Sequence, residues 1–215
     1  GGIVVFNRLV DGDTVRAVRS SRTFFEVLAA PGFTAQALER LAGRENMRVL
    51  ELPADWAESV PPGRDCRRVQ GGWLVQDWDM GGDYEWQVVS DRAPTTDEER
   101  AMRFAWKAAR NTKSNAIVLA RANADGESLN GVGAGQMSRV DSVRVAISKA
   151  TTDVPGSVLA SDAFFPFPDG IQIALDAGVT AFIQPGGSVK DDIVLKTVND
   201  AGAAMVYTGY RHFRH

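Results

Sequence analysis

The sequence of 215 residues is poor in metal-binding side chains, with one cysteine, Cys66, and two histidines, His212 and His215. A single cysteine cannot form an internal disulfide, which suits a reducing compartment, so we expect a cytoplasmic location. Three such side chains are also too few for a zinc centre made of cysteine and histidine. The sequence therefore predicts no zinc site.

Long apolar runs and an excess of positive charge are missing as well. Nothing approaches the roughly 18 consecutive apolar residues of a membrane span, and no secretion leader is recognisable. The 24 basic and 27 acidic side chains give a net charge of −3, which argues against broad nucleic-acid or membrane binding. The opening segment, GGIVVFNR, has no methionine and enters an apolar run directly, so we expect a fragment whose N-terminal part is absent.

Strand-like and helix-like segments alternate along most of the chain. The predicted strands are GGIVVF, TFFEVLAAPG, NMRVLELP, AIVLA, LNGVGAG, SVLASDA, TAFIQ and AAMVYTG. The predicted helices are DGDTVRAVRSS, a segment from Thr34 to Gly43, segments opened by capping boxes at Thr95–Glu98 and Ser138–Asp141, DGIQIALDAG, and a segment from Ser188 to about Ala201. Continuous apolar strands between helices predict an α/β fold with a mixed sheet covered by helices on both faces.

The stretch from residue 54 to about 93 breaks this alternation and suggests a linking or arm-like region. Within it, RRVQGGWLVQDWD predicts a hairpin with a Gly-Gly turn. We therefore divide the chain into residues 1–93 and 94–215. FEVLAAPGFTAQALERLAG and TAFIQPGGSVKDDIVLKTVNDAG share one plan, either because α/β units look alike or because one fold occurs twice, the first copy being incomplete.

Ligands of such sheets bind at strand ends, so the loops there are the candidate sites. GVGAGQMSR places a glycine-rich turn and Arg139 at a helix N-terminus, which suits an anion, although its spacing matches no phosphate-binding fingerprint. Asn115 is either a turn former or a hydrogen-bonding partner for a heterocyclic carboxamide. Ser188 is either a helix N-cap, with Asp191 three residues on, or a binding residue.

The segment SDAFFPFPDG and the terminal TGYRHFRH also follow predicted strands. The phenylalanines of the first, held by prolines, either close the core or form a rigid wall for a flat ligand, and Asp169 can cap the next helix. The second is basic and aromatic, and it either frays in solvent or meets a phosphate through residues such as Arg211.

Five segments, taken in chain order, closely resemble the C-terminal half of the bifunctional purine-biosynthesis family that combines 5-aminoimidazole-4-carboxamide ribonucleotide (AICAR) transformylase with inosine monophosphate cyclohydrolase. They are KSNAIVLA, GVGAGQMSRVDSVRVA, SDAFFPFPDGI, IQPGGSVKDD and TGYRHFRH, and GGIVVFNR and FFEVLAAPGF match upstream. The resemblance implies formyl transfer from 10-formyltetrahydrofolate to AICAR in a homodimer. It also implies three-layer, cytidine-deaminase-like α/β/α units without zinc, one partial and one complete.

The resemblance also implies roles for individual residues. AICAR contacts are implied for Gly1, Glu26 (where the family often has aspartate), Asn115, Arg139, Phe164 and Arg211, and folate contacts for Val140, Asp169, Ser188 and Val189. Asn115 is expected to orient the substrate and His215 to support catalysis. A potassium ion is expected near Asp162 and His215.

The family's catalytic Lys-His pair and its cyclohydrolase domain lie upstream of GGIVVFNR. We therefore expect this chain to bind and orient substrates without turning them over. One alternative is a non-catalytic dimerisation module with an incomplete site. A zinc nucleoside deaminase would share the fold but fails on the histidine and cysteine count.

Overall fold

The computed structural model describes residues 2–21, 24–43, 46–56, 63–81 and 85–214. Gly1 and His215, for which the resemblance implies a role, lie outside these residues. The chain forms two compact units, residues 1–78 and 79–215. Residues 85–93 thus belong to the second unit, and the division at residue 93 stays a prediction.

The first unit contains a three-stranded parallel sheet in the order β1–β2–β3. Its elements are β1 (Gly2–Val5), α1 (Gly12–Ser20), β2 (Phe25–Ala30), α2 (Ala35–Leu41) and β3 (Arg48–Glu51). The helices begin after Asp11 and Thr34, whose side chains accept the backbone N–H groups of Thr14 and Ala37. Apolar side chains of both helices pack on β2, where Leu28 is buried.

A separate antiparallel hairpin follows, formed by β4 (Asp65–Val69) and β5 (Gly72–Gln76). The predicted hairpin is confirmed, but its turn is not Gly-Gly. Gly72 already pairs with Val69 in the ladder, so the turn consists of Gln70 and Gly71, and Gly71 adopts a φ of +88°.

The second unit contains a six-stranded mixed sheet in the order β6–β11–β10–β9–β7–β8. The strands are β6 (Gln87–Val88), β7 (Ile117–Asn123), β8 (Gly126–Gly133), β9 (Val158–Ser161), β10 (Ala181–Gln184) and β11 (Ala204–Tyr207). Strands β9, β10 and β11 are parallel, and β7 is antiparallel to both of its neighbours. The carboxyl ends of β8, β9, β10 and β11 therefore lie at one edge of the sheet, beside the start of β7.

Helices cover both faces of this sheet. One face packs on α3 (Thr96–Arg110), and the other packs on α4 (Arg139–Ser148), α5 (Asp169–Asp176) and α6 (Asp191–Asp200). Alternate residues of each strand serve the two faces: Leu119 faces the α4–α6 layer, whereas Val118 faces α3. The α/β fold and the mixed, two-sided sheet are confirmed, while the cytidine-deaminase-like detail stays a prediction. No helix in the described ranges is long and apolar enough to span a bilayer.

The start of α3 is fixed by the predicted capping box. Thr95 Oγ1 accepts the Glu98 N–H at 3.2 Å, and Glu98 Oε2 accepts the Thr95 N–H at 2.8 Å. Arg92 adds two hydrogen bonds to the same carboxylate, at 2.7 and 3.0 Å. Burial raises the pKa of Glu98, but the bonds from Arg92 and Thr95 outweigh it and lower that pKa to about 2.

Two other helix starts differ in detail from the prediction. Helix α5 begins at Asp169, the first residue of the predicted segment, but Asp169 is not its N-cap, and its carboxylate accepts the adjacent Gly170 N–H. Helix α6 begins at Asp191 rather than Ser188, because Gly186 and Gly187 adopt φ values of +72° and +94° and the turn extends the loop. The predicted capping contacts are nevertheless present: Ser188 Oγ accepts the Lys190 N–H at 3.1 Å, and the Asp191 carboxylate accepts the N–H groups of Gly187 and Ser188.

The glycine-rich segment after β7 has a packing role. A Cβ on Gly131 or Gly133 would overlap backbone carbonyl oxygens of α4, those of Ala146 and Ser142. Only glycine lets β8 and α4 approach this closely. These two glycines lie in β8 and serve the contact between helix and sheet.

Replacing Gly133 with alanine is expected to lower the free energy of unfolding by about 2–3 kcal/mol, because α4 must move to admit a methyl group. Urea unfolding measures the change. Gly72→Ala in β5 is the matched control, since a Cβ there meets nothing within 4 Å. Equal losses in the two variants would contradict the packing role.

Candidate functional site

The candidate site is a pocket of about 500 Å³ at the sheet edge where four strands of the second unit end. Its walls come from the loops after β8, β9 and β11, together with Asn115 before β7. Six residues implied by the family resemblance line it: Asn115, Arg139, Val140, Phe164, Asp169 and Arg211. Loops far apart in sequence thus converge as expected for an α/β sheet.

Arg139 is the centre of a buried polar network beside this pocket. Its Nη1 donates to Asp162 Oδ1 at 2.5 Å and to Ser161 Oγ at 2.7 Å, and its Nη2 donates to Asn115 Oδ1 at 2.9 Å. The side chains of Arg139 and Asp162 are only 9% and 1% exposed. Because Asp162 already balances the Arg139 charge, Arg211 is the stronger candidate for binding an anion.

Asn115 is held in one orientation by its neighbours. Its Oδ1 accepts from Arg139, its Nδ2 donates to the carbonyl of Gln136 at 3.0 Å, and its backbone carbonyl accepts from Ser142 Oγ at 2.8 Å. An arginine can only donate, so it fixes which end of the amide is the oxygen. The side chain thus bonds to Gln136 and Arg139 rather than to a local turn, and it lines the pocket with its amide fixed.

The phenylalanines of SDAFFPFPDG divide between the two roles that the sequence left open. Phe165 is 1% exposed and packs in the core with α4 and α5, while its N–H donates to Gln184 Oε1 at 2.8 Å. Phe164 is half-buried and Phe167 is 50% exposed, and both line the pocket. One ring closes the core, and the other two form a wall.

The C-terminal segment is fixed by hydrogen bonds through residue 214. Ser114 exchanges two bonds with the backbone of Arg214, at 2.9 and 3.1 Å, and the His212 N–H donates to the Asp162 carbonyl at 2.9 Å. These bonds hold Arg211 beside the pocket, where its exposed guanidinium lies 4.9 Å from the ring centroid of Phe213. The frayed-tail alternative does not apply to these residues.

The buried side chain of His212 also holds the C-terminal segment in place. Its ring is 1% exposed, its Nδ1 lies 2.5 Å from Asp79 Oδ2, and its centroid lies 4.6 Å from the ring centroid of Trp106 of α3, tilted by 50°. Burial lowers the pKa of His212 below its ordinary value, although the hydrogen bond to Asp79 opposes this. His212 therefore has a structural role in the segment that carries Arg211.

Two further predicted residues of the second unit, Ser188 and Val189, do not line the pocket. Ser188 is half-buried, and Val189 is fully exposed at the tip of the loop before α6. The next residue, Lys190, does reach the pocket wall, with its ammonium 4.4 Å from the ring centroid of Phe167. Glu26 is exposed on β2 of the first unit.

A family model described as the AICARFT/IMPCHase bienzyme matches residues 1–149, more than half of the chain. The chain belongs to this family. Membership of the AICARFT/IMPCHase family indicates an enzyme with a role in purine biosynthesis. The match includes Asn115, Arg139 and Val140 and ends before Phe164, so the later residues depend on their motifs and on their place in the pocket.

Several residues of this pocket were not predicted from the sequence. Met137 and Phe213 line it, and Ser161 accepts from Arg139. Asp162 was named only for a potassium ion, and its carboxylate also pairs with Arg139. Lys190 lies within the segment IQPGGSVKDD, but a single lysine at a helix start does not by itself indicate a binding residue. Only the neighbouring Phe167 ring, 23 residues earlier in the chain, identifies its position.

Proposed function

We propose that this member of the AICARFT/IMPCHase family serves the transformylase reaction, in which 10-formyltetrahydrofolate gives its formyl group to the exocyclic amine of AICAR. The new bond joins that amine nitrogen to the formyl carbon, the bond from the formyl carbon to the folate nitrogen breaks, and the proton lost by the amine balances the one gained by the folate. The supporting observation is the convergence of six implied substrate-binding residues on one pocket.

Each lining residue has a chemistry suited to this pair of substrates. Arg211 offers an exposed guanidinium fork for the phosphate of AICAR, and Phe164 offers a ring face for its flat heterocycle. The fixed amide of Asn115 suits a carboxamide. Val140 and Asp169 of the pocket, together with Ser188 and Val189 outside its lining, are proposed for the folate side.

Proton removal from a weakly nucleophilic aromatic amine needs a base, and stabilising the developing negative charge needs a cation. In the family, a Lys-His pair supplies both, and the motif containing it does not occur in these 215 residues. We therefore propose that this chain supplies binding and orientation. Formyl transfer by the purified chain alone would contradict this part of the proposal.

A potassium ion near Asp162 and His215, a homodimer and a cytoplasmic location also belong to the proposal. Asp162 and Ser114 offer carboxylate and hydroxyl oxygens, donors that suit a hard cation. Ser114 Oγ donates to Asp162 Oδ2 at 2.5 Å, so an ion here would share oxygens that already hold the C-terminal segment. Its role would be structural.

Calorimetric titration with AICAR tests the proposed site. Arg211→Ala is expected to weaken binding by about tenfold or more, because it removes a charge-assisted contact to the phosphate. Arg214→Ala is the matched control, since it removes the same charge from the same segment and that side chain does not line the pocket.

Two outcomes would contradict the proposal. Equal weakening by both substitutions would mean that only the net charge matters. No heat with the unsubstituted protein at any AICAR concentration would favour the second candidate, a dimerisation module with an incomplete site.

A further inference from the structure

Two cations lie over aromatic rings that border the same pocket. The Arg211 guanidinium lies 4.9 Å from the ring centroid of Phe213, and the Lys190 ammonium lies 4.4 Å from that of Phe167. Both rings line the pocket. The face of an uncharged aromatic ring therefore positions each cation.

Both cations also keep their charge available. Across residues 2–21, 24–43, 46–56, 63–81 and 85–214, neither makes an ion pair with a carboxylate, in contrast to Arg139, which Asp162 neutralises. The nearest acid in sequence to Lys190, Asp191, directs one oxygen to the N–H groups of Gly187 and Ser188. One position that attracts negative charge therefore lies in the pocket lining, at Arg211, and a second lies beside the pocket wall, at Lys190.

The two positions differ in chemistry. Arginine presents a planar fork that matches the oxygens of a phosphate, whereas lysine is a compact point charge on a flexible stem. Lys190 lies at the more exposed end of the aromatic wall, because Phe167 is exposed (50%) whereas Phe164 belongs to the less exposed, intermediate class. That end suits a carboxylate that projects from the pocket towards solvent.

We propose that Lys190 is a specificity-determining residue that binds the glutamate end of the folate co-substrate. This inference rests on the proposed function. A folate has a flat ring system at one end and a glutamate with two carboxylates at the other. The folate rings match the outer part of the wall, Pro166 and Phe167, and the Asp169 carboxylate can accept hydrogen bonds from donor groups of these rings. The same carboxylate repels the glutamate, which leaves Lys190 as the partner of that end.

A pair of ligands that differ only at this end tests the proposal: folic acid, and pteroic acid, which lacks the glutamate. The unsubstituted protein is expected to bind folic acid about fivefold more tightly, the size of a partly exposed ion pair, and high salt reduces this preference. Lys190→Gln abolishes the preference and leaves the affinities for pteroic acid and AICAR unchanged. Lys190→Arg retains it.

Lys196→Gln is the control, because it removes one positive charge from α6 at an exposed position paired with Asp200. The preference is expected to survive in this variant. A preference that persists in Lys190→Gln, or an equal loss of affinity for folic and pteroic acids, overturns the inference while AICAR binding upholds the proposed function. If the unsubstituted protein binds none of the three ligands, both fail.

Discussion

Replacing Phe165 with alanine is expected to lower the free energy of unfolding by about 3–5 kcal/mol, the cost of truncating a fully buried phenylalanine. The ring is 1% exposed and packs among side chains of β7, β9, α4 and α5. The ring also packs closely against Gly170, where an added Cβ would lie 2.9 Å from it. Because α5 is held so closely, the surrounding residues have little room to close the cavity. Urea unfolding measures the loss.

The adjacent ring gives the matched comparison. Phe164→Ala removes the same side chain from a half-buried position on the pocket wall, so we expect a loss of stability below about 1 kcal/mol and weaker AICAR binding. Phe165→Ala should therefore mainly lower stability, and Phe164→Ala should mainly weaken AICAR binding. Similar unfolding free energies for both would show that the wall and the core are not distinct.

This dipeptide illustrates what the sequence could predict and what it could not. Alternating and helical periodicity predicted most elements of the two units, because each apolar face must be buried by its neighbours. The same periodicity gives no information about which of two consecutive phenylalanines points into the core. That depends on where β9 ends and how Phe165 N–H meets Gln184, a residue 19 positions away.

Helix starts show a similar limit. Thr34, Thr95 and Ser138 cap the helices predicted from them, because a hydroxyl accepts a backbone N–H within three residues. At α6 the predicted capping contact between Ser188 and Asp191 is present, but the helix begins at Asp191 rather than at Ser188. Two consecutive glycines with positive φ displaced the helix, and a capping motif alone does not reveal their conformations.

The polar centre of the site could not be predicted from sequence in any detail. Arg139, Asp162 and Asn115 come from a helix start, a strand end and a strand start, and the order of the strands brings them together. The family motifs named Arg139 and Asn115 as substrate contacts. The structure adds that the first of them orients the second.

Replacing Asp162 with alanine is expected to lower the free energy of unfolding by about 3–5 kcal/mol, because Arg139 keeps a buried charge without its counterion. The double variant Arg139→Met with Asp162→Leu removes both charges and should regain most of that loss, since a buried ion pair contributes little compared with apolar side chains of similar size. Urea unfolding of the single and double variants measures the coupling.

AICAR binding should not follow stability in this series. In the double variant Asn115 loses the donor that fixes its amide, so the pocket is expected to stay intact while AICAR binds about tenfold more weakly. Recovery of both stability and binding would mean that Arg139 does not position Asn115. Recovery of stability alone separates the two roles of the network: the ion pair is replaceable in the fold, and its guanidinium is needed for AICAR binding.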